Sequence, residues 1–376
     1  MKILIVSHEY PPIGGGGANA CLNLSREYAE MGHEVVIVTA GYQNLLPEEK
    51  NGSITIIRVP SERKHKEHCS FKEMLSYIIK AWPVVNRLAK KERFDVCQVF
   101  FGIPSGVLGY GLKLKYRIPY VIRFGGGDIP GFQERFTKVY KIIAPFIKEI
   151  WKKADALVAN SKGLKDMACD FYHKKEIAII CNGVDAGNFY SAENKKQNEK
   201  VNILFVSRLI ERKGLQFIIP KLQKIRQVSG KELVLTVVGD GPYREELERI
   251  AEKAQCSHMV SFAGQKDKEE LLPYYQAADL FILPSAKEGM PNVVLEAMAS
   301  GLPILMTPCQ GSDELIDGNG TVASIDCFAE AMIALIKDEK QRETFGQESV
   351  RLVKDRFAWK SVAEKYVELF EKIIRA

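Results

Sequence analysis

The sequence predicts an α/β protein with two doubly wound parallel-sheet domains. Two observations indicate this class: short, continuously apolar runs alternate with helix-length amphipathic segments, and VNILFVSR at 201–208 repeats the pattern of MKILIVSH at 1–8. A chain of 376 residues is also longer than one hydrophobic core usually organises. We therefore predict domains at 1–187 and 188–357, with a terminal helix at 358–376 that packs back on the first domain.

Six apolar runs in the first half are predicted to be strands. Each run is continuous rather than alternating, which is typical of strands buried on both faces of a parallel sheet. The segment at 18–32 carries apolar residues at helical spacing and reaches Gly32, a residue that suits a helix end. The predicted strands are KILIVS, HEVVIVTA, ITIIRVP, FDVCQVF, IPYVIRF and DALVAN.

The second half repeats this alternation after a polar stretch at 186–200, which is predicted to be a linker. Ligands of open parallel sheets bind outside the carboxyl ends of the strands. Two such sheets that face each other would therefore bind a substrate in the cleft between them. The predicted strands of this half are VNILFVSR, LVLTVVGDG, VSFAG, DLFILPS, LPILMTP and GTVAS.

Composition and charge favour a soluble globular protein of the cytoplasm. Charged residues make up 27% of the chain, and no apolar run approaches the roughly 18 residues that a membrane span needs. A formal charge of +6 is modest for this length and does not indicate a nucleic-acid partner. The eight cysteines are scattered, without the spacing of a metal site, and are expected to be free thiols.

A glycine-rich loop, HEYPPIGGGGAN at 8–19, follows the first predicted strand. Glycines let a backbone approach a phosphate closely, and the start of the next helix offers N–H groups to an anion. A dinucleotide-binding fold would place an acidic residue about 20 residues past the glycines, but the second strand ends in Thr39, Ala40 and Gly41. The lysine ending of a P-loop is also absent from this loop. The segment is thus either a phosphate-approaching loop or a flexible turn.

Two cations, Arg208 and Lys213, lie in SRLIERKGL, directly after the first strand of the second half. At the carboxyl end of a strand they can converge on a diphosphate and take the place of a metal ion. The alternative is a solvated pair of charges.

Two carboxylates bracket the segment EGMPNVVLE, and they lie on different elements. Glu288 is in a loop beside Gly289, whereas Glu296 is inside the helix that follows. A carboxylate accepts hydrogen bonds from neighbouring hydroxyls, so Glu296 suits a ribose and Glu288 a second sugar. The start of the helix suits the phosphates between them, and a surface helix with two unrelated acids is the alternative. The predicted phosphate-binding positions are Met290, Pro291, Asn292 and Val293.

These motifs resemble those of the group 1 (family 4) retaining glycosyltransferases of GT-B fold. The resemblance covers nearly the whole chain and rests on the glycine-rich loop, SRLIERKG, VVGDGPYREELE, PSAKEGMPNVVLEAMASGLPIL and FAWKSVAEKY. It implies two Rossmann-like domains facing across a cleft, and transfer of a sugar from a nucleoside-diphosphate donor with retained anomeric configuration. The binding residues that it implies are Arg208 and Lys213 for the diphosphate, Glu296 for the ribose, Glu288 for the donor sugar, and Gly16 and Gly17 for the donor phosphates from the other domain.

One loop departs from the family pattern. Many members have His-Gly-x-Asp after a middle strand of the first domain, with the His beside the reacting sugar, whereas IRFGGGDIPGF has Gly125 in that place, three residues before Asp128. The resemblance still assigns Asp128 to the catalytic site, and Arg123 approximates an arginine that some relatives carry nearby. By residue type alone, an Asp in a glycine loop is a turn residue.

The sequence contains no Asp-x-Asp triplet, the pattern with which many transferases hold a diphosphate through a divalent cation. We therefore predict no metal and no cofactor, and expect cationic side chains to stabilise the charge that gathers on the departing diphosphate. The predicted catalytic residues are Glu288, Arg208, Lys213 and Asp128.

Two basic segments of the first half carry aromatic and apolar residues between their lysines. Residues 62–93 have an excess of Lys and Arg over acids, and RFTKVYKIIAPFIKEIWKKA at 135–154 continues the pattern. Basic amphipathic segments with aromatic residues can lie in an anionic membrane interface. They predict peripheral attachment at the inner face of the membrane and a lipid-linked acceptor. Ordinary surface helices with a soluble glycan acceptor are the alternative.

The expected function is transfer of a sugar from a UDP- or GDP-sugar to a glycan or lipid-linked acceptor, in the assembly of cell-surface polysaccharide or glycoconjugate. Two alternatives stay open. A nucleotide-sugar epimerase of GT-B fold would not need a basic acceptor face. A non-enzymatic, two-lobed sugar-binding protein would want an export signal, and the apolar start of the chain, which runs into His8 and Glu9, does not resemble one. The donor sugar, the acceptor, the linkage and the oligomeric state have no readable motif.

Overall fold

The computed structural model describes residues 1–66, 69–132, 137–192 and 200–376. Parts of three predicted segments lie outside these described residues. They are Glu67 and His68 of the first basic segment, Arg135 and Phe136 of the second, and residues 193–199 of the predicted linker.

The chain divides into two compact units. The first contains Met1–Asn182 and Trp359–Ala376, and the second contains Gly183–Ala358. Each unit is built on its own sheet, and all but one of the strand pairs are parallel. The predicted α/β class, with two parallel-sheet domains, is confirmed.

Eight strands form the sheet of the first unit, in the order β3-β4-β2-β1-β5-β6-β7-β8. They are β1 (Lys2–Val6), β2 (Glu34–Ala40), β3 (Glu48–Asn51), β4 (Ile54–Val59), β5 (Val96–Phe100), β6 (Tyr120–Arg123), β7 (Ala156–Ala159) and β8 (Ile177–Ile179). None of the apolar runs predicted to be strands corresponds to β3 or β8. The first reads EEKN and pairs antiparallel at the edge of the sheet, and the second has only three residues. Neither edge strand carries the long apolar run of a strand buried on both faces.

Helices cover both faces of this sheet. Ile3 and Ile5 of β1 point to the face covered by α1 (Gly16–Glu30) and α13 (Trp359–Arg375). Leu4 and Val6 point to the opposite face. Successive side chains of a strand alternate between faces, which is why the run KILIV is apolar throughout. The helices on this second face are α2 (Phe71–Lys91), α3 (Gly106–Tyr116), α4 (Thr137–Lys153) and α5 (Lys162–Phe171).

The start of α2 also anchors the loop before it. Ser70 Oγ accepts the N–H of Glu73 at 3.3 Å, and Glu73 Oε2 accepts the N–H of Ser70 at 2.6 Å, which is a capping box. The other oxygen of Glu73 accepts the N–H of Lys64 at 2.7 Å. The carbonyl of Lys66 then accepts the N–H of Gly14 at 2.9 Å, so this loop lies against the glycine-rich loop.

The terminal helix α13 packs on the first unit. Trp359, Tyr366 and Phe370 are buried, and their spacing places them on one stripe of the helix. The ring of Phe370 meets the ring of Tyr28 on α1 edge to face, with the ring centroids 5.8 Å apart. The helix therefore completes the hydrophobic layer over β1.

Six parallel strands form the sheet of the second unit, in the order β11-β10-β9-β12-β13-β14. They are β9 (Lys200–Val206), β10 (Glu232–Val238), β11 (Val260–Gly264), β12 (Leu280–Leu283), β13 (Ile304–Met306) and β14 (Gly320–Val322). Because β9 lies between β10 and β12, the loops that follow these three strands meet at one edge of the sheet.

The helices of the second unit are α6 (Leu222–Ser229), α7 (Arg244–Lys253), α8 (Leu272–Ala277), α9 (Asn292–Ala299), α10 (Ser312–Leu315), α11 (Phe328–Lys337) and α12 (Glu339–Leu352). Among the helices that the structure describes in either unit, none is long and apolar enough to cross a membrane.

Part of the predicted linker at 186–200 packs against the second unit. Phe189 is buried, and its ring packs edge to face against that of Tyr275, with the centroids 5.6 Å apart. Phe189 therefore contributes to the core of the second unit. The apolar residues of this stretch follow neither a helical nor a strand period, so the sequence pattern could not reveal the burial of Phe189.

Candidate active site

Two loops of the second unit are joined at the carboxyl edge of its sheet. One follows β9 and the other follows β12, which pair as neighbours. The N–H of Ala286 donates to the carbonyl of Arg212 at 2.8 Å. Gly214 has a φ of +80°, and a Cβ built on it would lie 1.9 Å from the carbonyl oxygen of Pro284. The glycine of SRLIERKG is thus required by the close approach of the two loops.

The joined loops bring Lys213 and Glu288 into contact. Lys213 Nζ lies 2.6 Å from Glu288 Oε1, and each side chain is only 12% exposed. Ser285 Oγ donates to the same carboxylate oxygen at 2.6 Å. Ser285 is held in turn because its carbonyl accepts the hydroxyl of Thr307 on the loop after β13, at 2.5 Å. The carboxylate and the ammonium are therefore fixed in position by three loops.

Arg208 lies on the same edge, two residues after the end of β9, and its side chain is exposed. The next residue, Leu209, donates its N–H to the carbonyl of Asp240 at 2.9 Å. This bond ties the start of the SRLIERKG loop to the GDG turn after β10. The predicted cations at 208 and 213 thus stand on one loop whose backbone is fixed at both sides.

Glu296 lies on α9, directly after the Glu288 loop, and is 9% exposed. Its Oε2 accepts a hydrogen bond from the hydroxyl of Tyr275 at 2.8 Å. Burial raises the pKa of Glu296 to about 7, while the Tyr275 hydrogen bond and the charge of Lys268 act in the opposite direction. The carboxyl therefore changes charge near neutral pH.

The start of α9 lies between the two acids in the sequence. Pro291 is the N-cap residue and makes no side-chain capping bond to the helix. Met290 and Pro291 are buried, whereas Asn292 and Val293 in the first turn are half-buried. The positive end of the α9 dipole faces the Glu288 loop, which favours an anion there.

In the first unit, the glycine-rich loop leads into α1. Gly15 is the N-cap residue without a side-chain cap, Gly16 is exposed and Gly17 is half-buried. A Cβ on Gly17 would lie 2.4 Å from Cζ of Phe101. Phe101 has a φ of +72°, a strained conformation for a bulky residue. Its ring fills the space beside the loop.

The loop at Gly125, which differs from the family pattern, contacts the same ring of Phe101. A Cβ on Gly125 would lie 2.3 Å from Cε1 of Phe101, so no side chain fits there while the ring is in place. Asp128 is buried, and its two oxygens accept the N–H groups of Gly102 at 2.6 Å and Gly125 at 2.9 Å. Burial raises the pKa of Asp128, and these backbone bonds oppose that shift. Its carboxylate thus joins the loops after β5 and β6.

Arg123 and His8 are buried beside these loops. Arg123 donates to Asn182 Oδ1, and its guanidinium lies 5.2 Å from the ring centroid of Phe100. The ring of His8 packs against that of Phe101 with the centroids 4.7 Å apart. Burial lowers the pKa of His8 to about 4, so the ring is neutral at pH 7.

The structure therefore joins Lys213 to Glu288 directly and places Arg208, Met290–Val293 and Glu296 on the loops and helix around them. Gly16, Gly17 and Asp128 lie in the other unit, and their role at a donor stays a prediction. Three residues of these surroundings were not predicted from the sequence: Tyr275 and Ser285, which hold the acids of the second unit, and Phe101, which lies beside the glycine-rich loop of the first. Only Ser285 had a signal, since it lies in the same loop as Glu288.

Two family sequence models match the chain. The family described as glycosyl transferases group 1 matches residues 188–351, and glycosyltransferase family 4 matches residues 14–188. An uncharacterized glycosyltransferase of Methanocaldococcus jannaschii is 27% identical, over 99% of this chain and 98% of its own length. The alpha-monoglucosyldiacylglycerol synthase of Streptococcus pneumoniae is 25% identical, over 81% of this chain and 70% of that protein.

Solved structures share the fold. Sucrose-phosphate synthase from Thermosynechococcus elongatus matches with a TM-score of 0.83 at 20% identity, over 100% of this chain and 99% of that chain. The Anabaena protein HepE, in complex with UDP and glucose, matches with a TM-score of 0.73 at 18% identity, over 99% of this chain and 100% of that chain. The chain therefore belongs to the group 1 (family 4) glycosyltransferases and has the GT-B fold.

Proposed function

We propose that the protein transfers a sugar from a nucleoside-diphosphate donor to a glycan or lipid-linked acceptor, with retention of anomeric configuration and without a metal ion. The observation that carries the proposal is the contact between Lys213 and Glu288, at the sheet edge where Arg208 and the start of α9 also lie. Cations, a carboxylate and a helix N terminus together suit a phosphorylated sugar. The proposal that the anomeric configuration is retained rests on the family resemblance.

The leaving diphosphate would be stabilised by Lys213 and Arg208. An ammonium has three N–H donors, and the bond from Lys213 to Glu288 uses one of them. The same group can therefore hold Glu288 and a phosphate oxygen together. Arg208 is exposed at this edge and adds a second cation. As the sugar–phosphate bond breaks, negative charge on the diphosphate is then met by charges already in position. The absence of an Asp-x-Asp triplet supports a metal-independent reaction.

The sugar and the ribose would be bound by the two acids. Glu288 is held by Lys213 and Ser285 through one oxygen, Oε1. Its carboxylate keeps acceptor capacity for a sugar hydroxyl. Glu296, on the helix α9 that follows, can likewise accept hydrogen bonds from the two hydroxyls of the ribose. The HepE structure contains UDP and glucose, and this supports a UDP-sugar as a candidate donor. GDP- and ADP-sugars are the other candidate donors.

A lipid-linked acceptor and peripheral membrane attachment form the second part of the proposal. Leu75 and Ile79 on α2, and Ile142 and Phe146 on α4, are exposed large apolar residues four positions apart on their helices. Such pairs lie on one face of a helix. Both helices cover the same face of the first sheet, and lysines follow in the last turn of each. The similarity to a glucosyldiacylglycerol synthase supports a lipid acceptor.

A donor screen followed by product analysis tests the first part of the proposal. UDP-glucose, UDP-N-acetylglucosamine, GDP-mannose and ADP-glucose are each added to the protein with EDTA, and the thermal midpoint is measured. We expect one donor to raise it, because a ligand that binds only the folded state stabilises that state. Hydrolysis of that donor without acceptor is then followed by proton NMR, and the first sugar released should be the α anomer. No shift with any donor would contradict nucleotide-sugar binding, and an initial β product would contradict retention.

A further inference from the structure

Glu296 is contacted by Tyr275, whose side chain is packed among aromatic residues. Tyr275 lies on α8 and its side chain is fully buried. Its ring meets Phe189 edge to face, with the centroids 5.6 Å apart, and Phe281 at a tilt, with the centroids 6.1 Å apart. Phe281 is part of β12, the strand that leads into the Glu288 loop. The ring is therefore packed against two other rings of the core, and this packing positions its hydroxyl.

The Tyr275 hydroxyl is directed at the Glu296 carboxylate. The hydroxyl oxygen lies 2.8 Å from Glu296 Oε2 and 3.4 Å from the carbonyl oxygen of Val293. A hydroxyl carries a single proton, so the shorter contact identifies Glu296 as the acceptor. Hydrogen bonds to an ionised acceptor are stronger than neutral ones. One oxygen of the carboxylate is thus held by this hydrogen bond.

No described cation lies in hydrogen-bond contact with Glu296 that would hold it in the same way. The charge that acts on it is that of Lys268, whose ammonium instead lies over the ring of Phe189, 5.8 Å from its centroid. A carboxylate without a bonded partner would be free to rotate about its last torsion, which is broad for Glu. The Tyr275 hydrogen bond removes this freedom.

We propose that Tyr275 is a positioning residue for nucleotide binding: its hydroxyl fixes Glu296 Oε2, so that the remaining oxygen meets the ribose diol of a nucleoside diphosphate. This inference rests on the proposed function, because it takes a ribose as the ligand of Glu296. A group held in its binding geometry before the ligand arrives loses less conformational entropy on binding.

The substitution Tyr275→Phe tests the proposal because it removes one oxygen and keeps the ring. UDP, GDP and ADP are titrated calorimetrically at pH 8.5, and the nucleotide that binds best is compared with its 2′,3′-dideoxy form. We expect the variant to lose about tenfold in affinity for the ribonucleotide, because the Glu296 carboxylate would then have to be immobilised when the nucleotide binds. Affinity for the dideoxy form should not change, since it lacks the two hydroxyls that would donate hydrogen bonds to Glu296.

Two controls separate positioning from general damage. Tyr274→Phe removes a hydroxyl from the adjacent residue of α8, which is half-buried, and should bind like the wild type. In a Glu296→Gln background, adding Tyr275→Phe should cause no further loss, because the group that it positions is already replaced. A buried tyrosine that acted only on the packing of the unit would weaken ribonucleotide and dideoxynucleotide alike.

The outcomes distinguish this inference from the proposed function. Wild-type protein that binds none of the three nucleotides would overturn both. Wild-type protein that binds a ribonucleotide, with Tyr275→Phe binding it equally well, would overturn the positioning role alone. Equal losses for the ribonucleotide and its dideoxy form in Tyr275→Phe would also overturn it, because the effect would then not pass through the diol.

Discussion

Lys213 Nζ lies 2.6 Å from Glu288 Oε1, although the two residues are 75 positions apart in the sequence. Each belongs to a different loop. A backbone hydrogen bond between Ala286 and Arg212 joins the two loops, and the lack of a Cβ at Gly214 lets them approach closely. The two charges therefore meet because the fold brings them together and not because they are neighbours on one element. A substitution at either residue changes the electrostatics of both.

Glu288→Gln is expected to lower turnover by about 10²–10³-fold, the usual cost of losing one group that stabilises a transition state. The amide keeps the shape of the side chain and can still accept from Ser285, but it removes the negative charge beside Lys213. The change is measured as the rate of donor hydrolysis together with the thermal midpoint. Glu211→Gln, which alters an exposed acid of the Lys213 loop, is the control. An active Glu288→Gln variant would remove this residue from the mechanism.

Arg208→Ala should weaken product inhibition by UDP or GDP by about 10- to 100-fold, since charge-assisted bonds to phosphate are among the stronger polar contacts. The side chain is exposed, so the thermal midpoint should stay close to that of the wild type. Arg212→Ala, at another exposed arginine of the same loop, is the matched control. Inhibition constants that are the same in both variants would contradict the assignment of Arg208 to the diphosphate.

Glu296 should make nucleotide affinity depend on pH. Its pKa is raised to about 7, and only the ionised form accepts hydrogen bonds with both oxygens. Affinity measured by calorimetry should therefore fall as the pH drops from 8 through 7 toward 6. A flat profile over this range would contradict a role for the Glu296 charge.

The same shift has a consequence for stability. Burial raises the pKa of Glu296 in the folded state from an ordinary value of 4.5 to about 7, so the folded protein binds the extra proton between these values. Folding stability from this group is thus highest below pH 4.5 and is lost as the pH rises through 7. Glu296→Gln should raise the thermal midpoint at pH 8 by a few degrees and should bring no gain at pH 4.5. A destabilised variant at pH 8 would argue against the shift.

Gly125→Ala should lower the thermal midpoint, because its Cβ would lie 2.3 Å from Phe101. In a Phe101→Ala background the same change should cost much less, since the ring that blocks the space is gone. Gly15→Ala is the control, because a Cβ there has no neighbour within 4 Å. Equal losses from Gly125→Ala in both backgrounds would mean that the two residues do not interact.

Membrane attachment should depend on the exposed apolar residues of α2 and α4. Sedimentation with phosphatidylglycerol vesicles at low salt should capture the wild type, and replacing Ile79 and Ile142 with Ser should reduce the bound fraction several-fold. Leu46→Ser, at an exposed leucine of the same unit outside these helices, is the control. Wild-type protein that stays in the supernatant would favour a soluble acceptor.

The strands that could be predicted from the sequence are those in which apolar residues form a continuous run. The strand KILIV is apolar at every position because both faces of its sheet are covered by helices. The polar edge strand EEKN escaped detection, since it pairs on one side only and follows no apolar pattern. An edge strand such as β3 is held by hydrogen bonds to a single neighbouring strand, and its own sequence does not show this pairing.

The site was readable only in part for a similar reason. Glu288 and Glu296 stand in one short segment, so their relation shows in the sequence. The bond between Glu296 and Tyr275 joins residues 21 positions apart on separate helices, and no local spacing encodes it. The same holds for Gly125, whose lack of a side chain is explained by Phe101 on another strand's loop.

The two chain segments of the first unit have a practical consequence for dissecting the protein. Residues 1–182 end before Trp359, Tyr366 and Phe370 have been made, and these side chains cover the face of β1 that also packs on α1. During synthesis, that face must wait for the last turns of the chain while the whole second unit emerges from the ribosome. A gene that stops at codon 182 would yield a half-covered sheet, whereas one that joins codon 182 to codon 359 through a short flexible spacer would restore the missing layer.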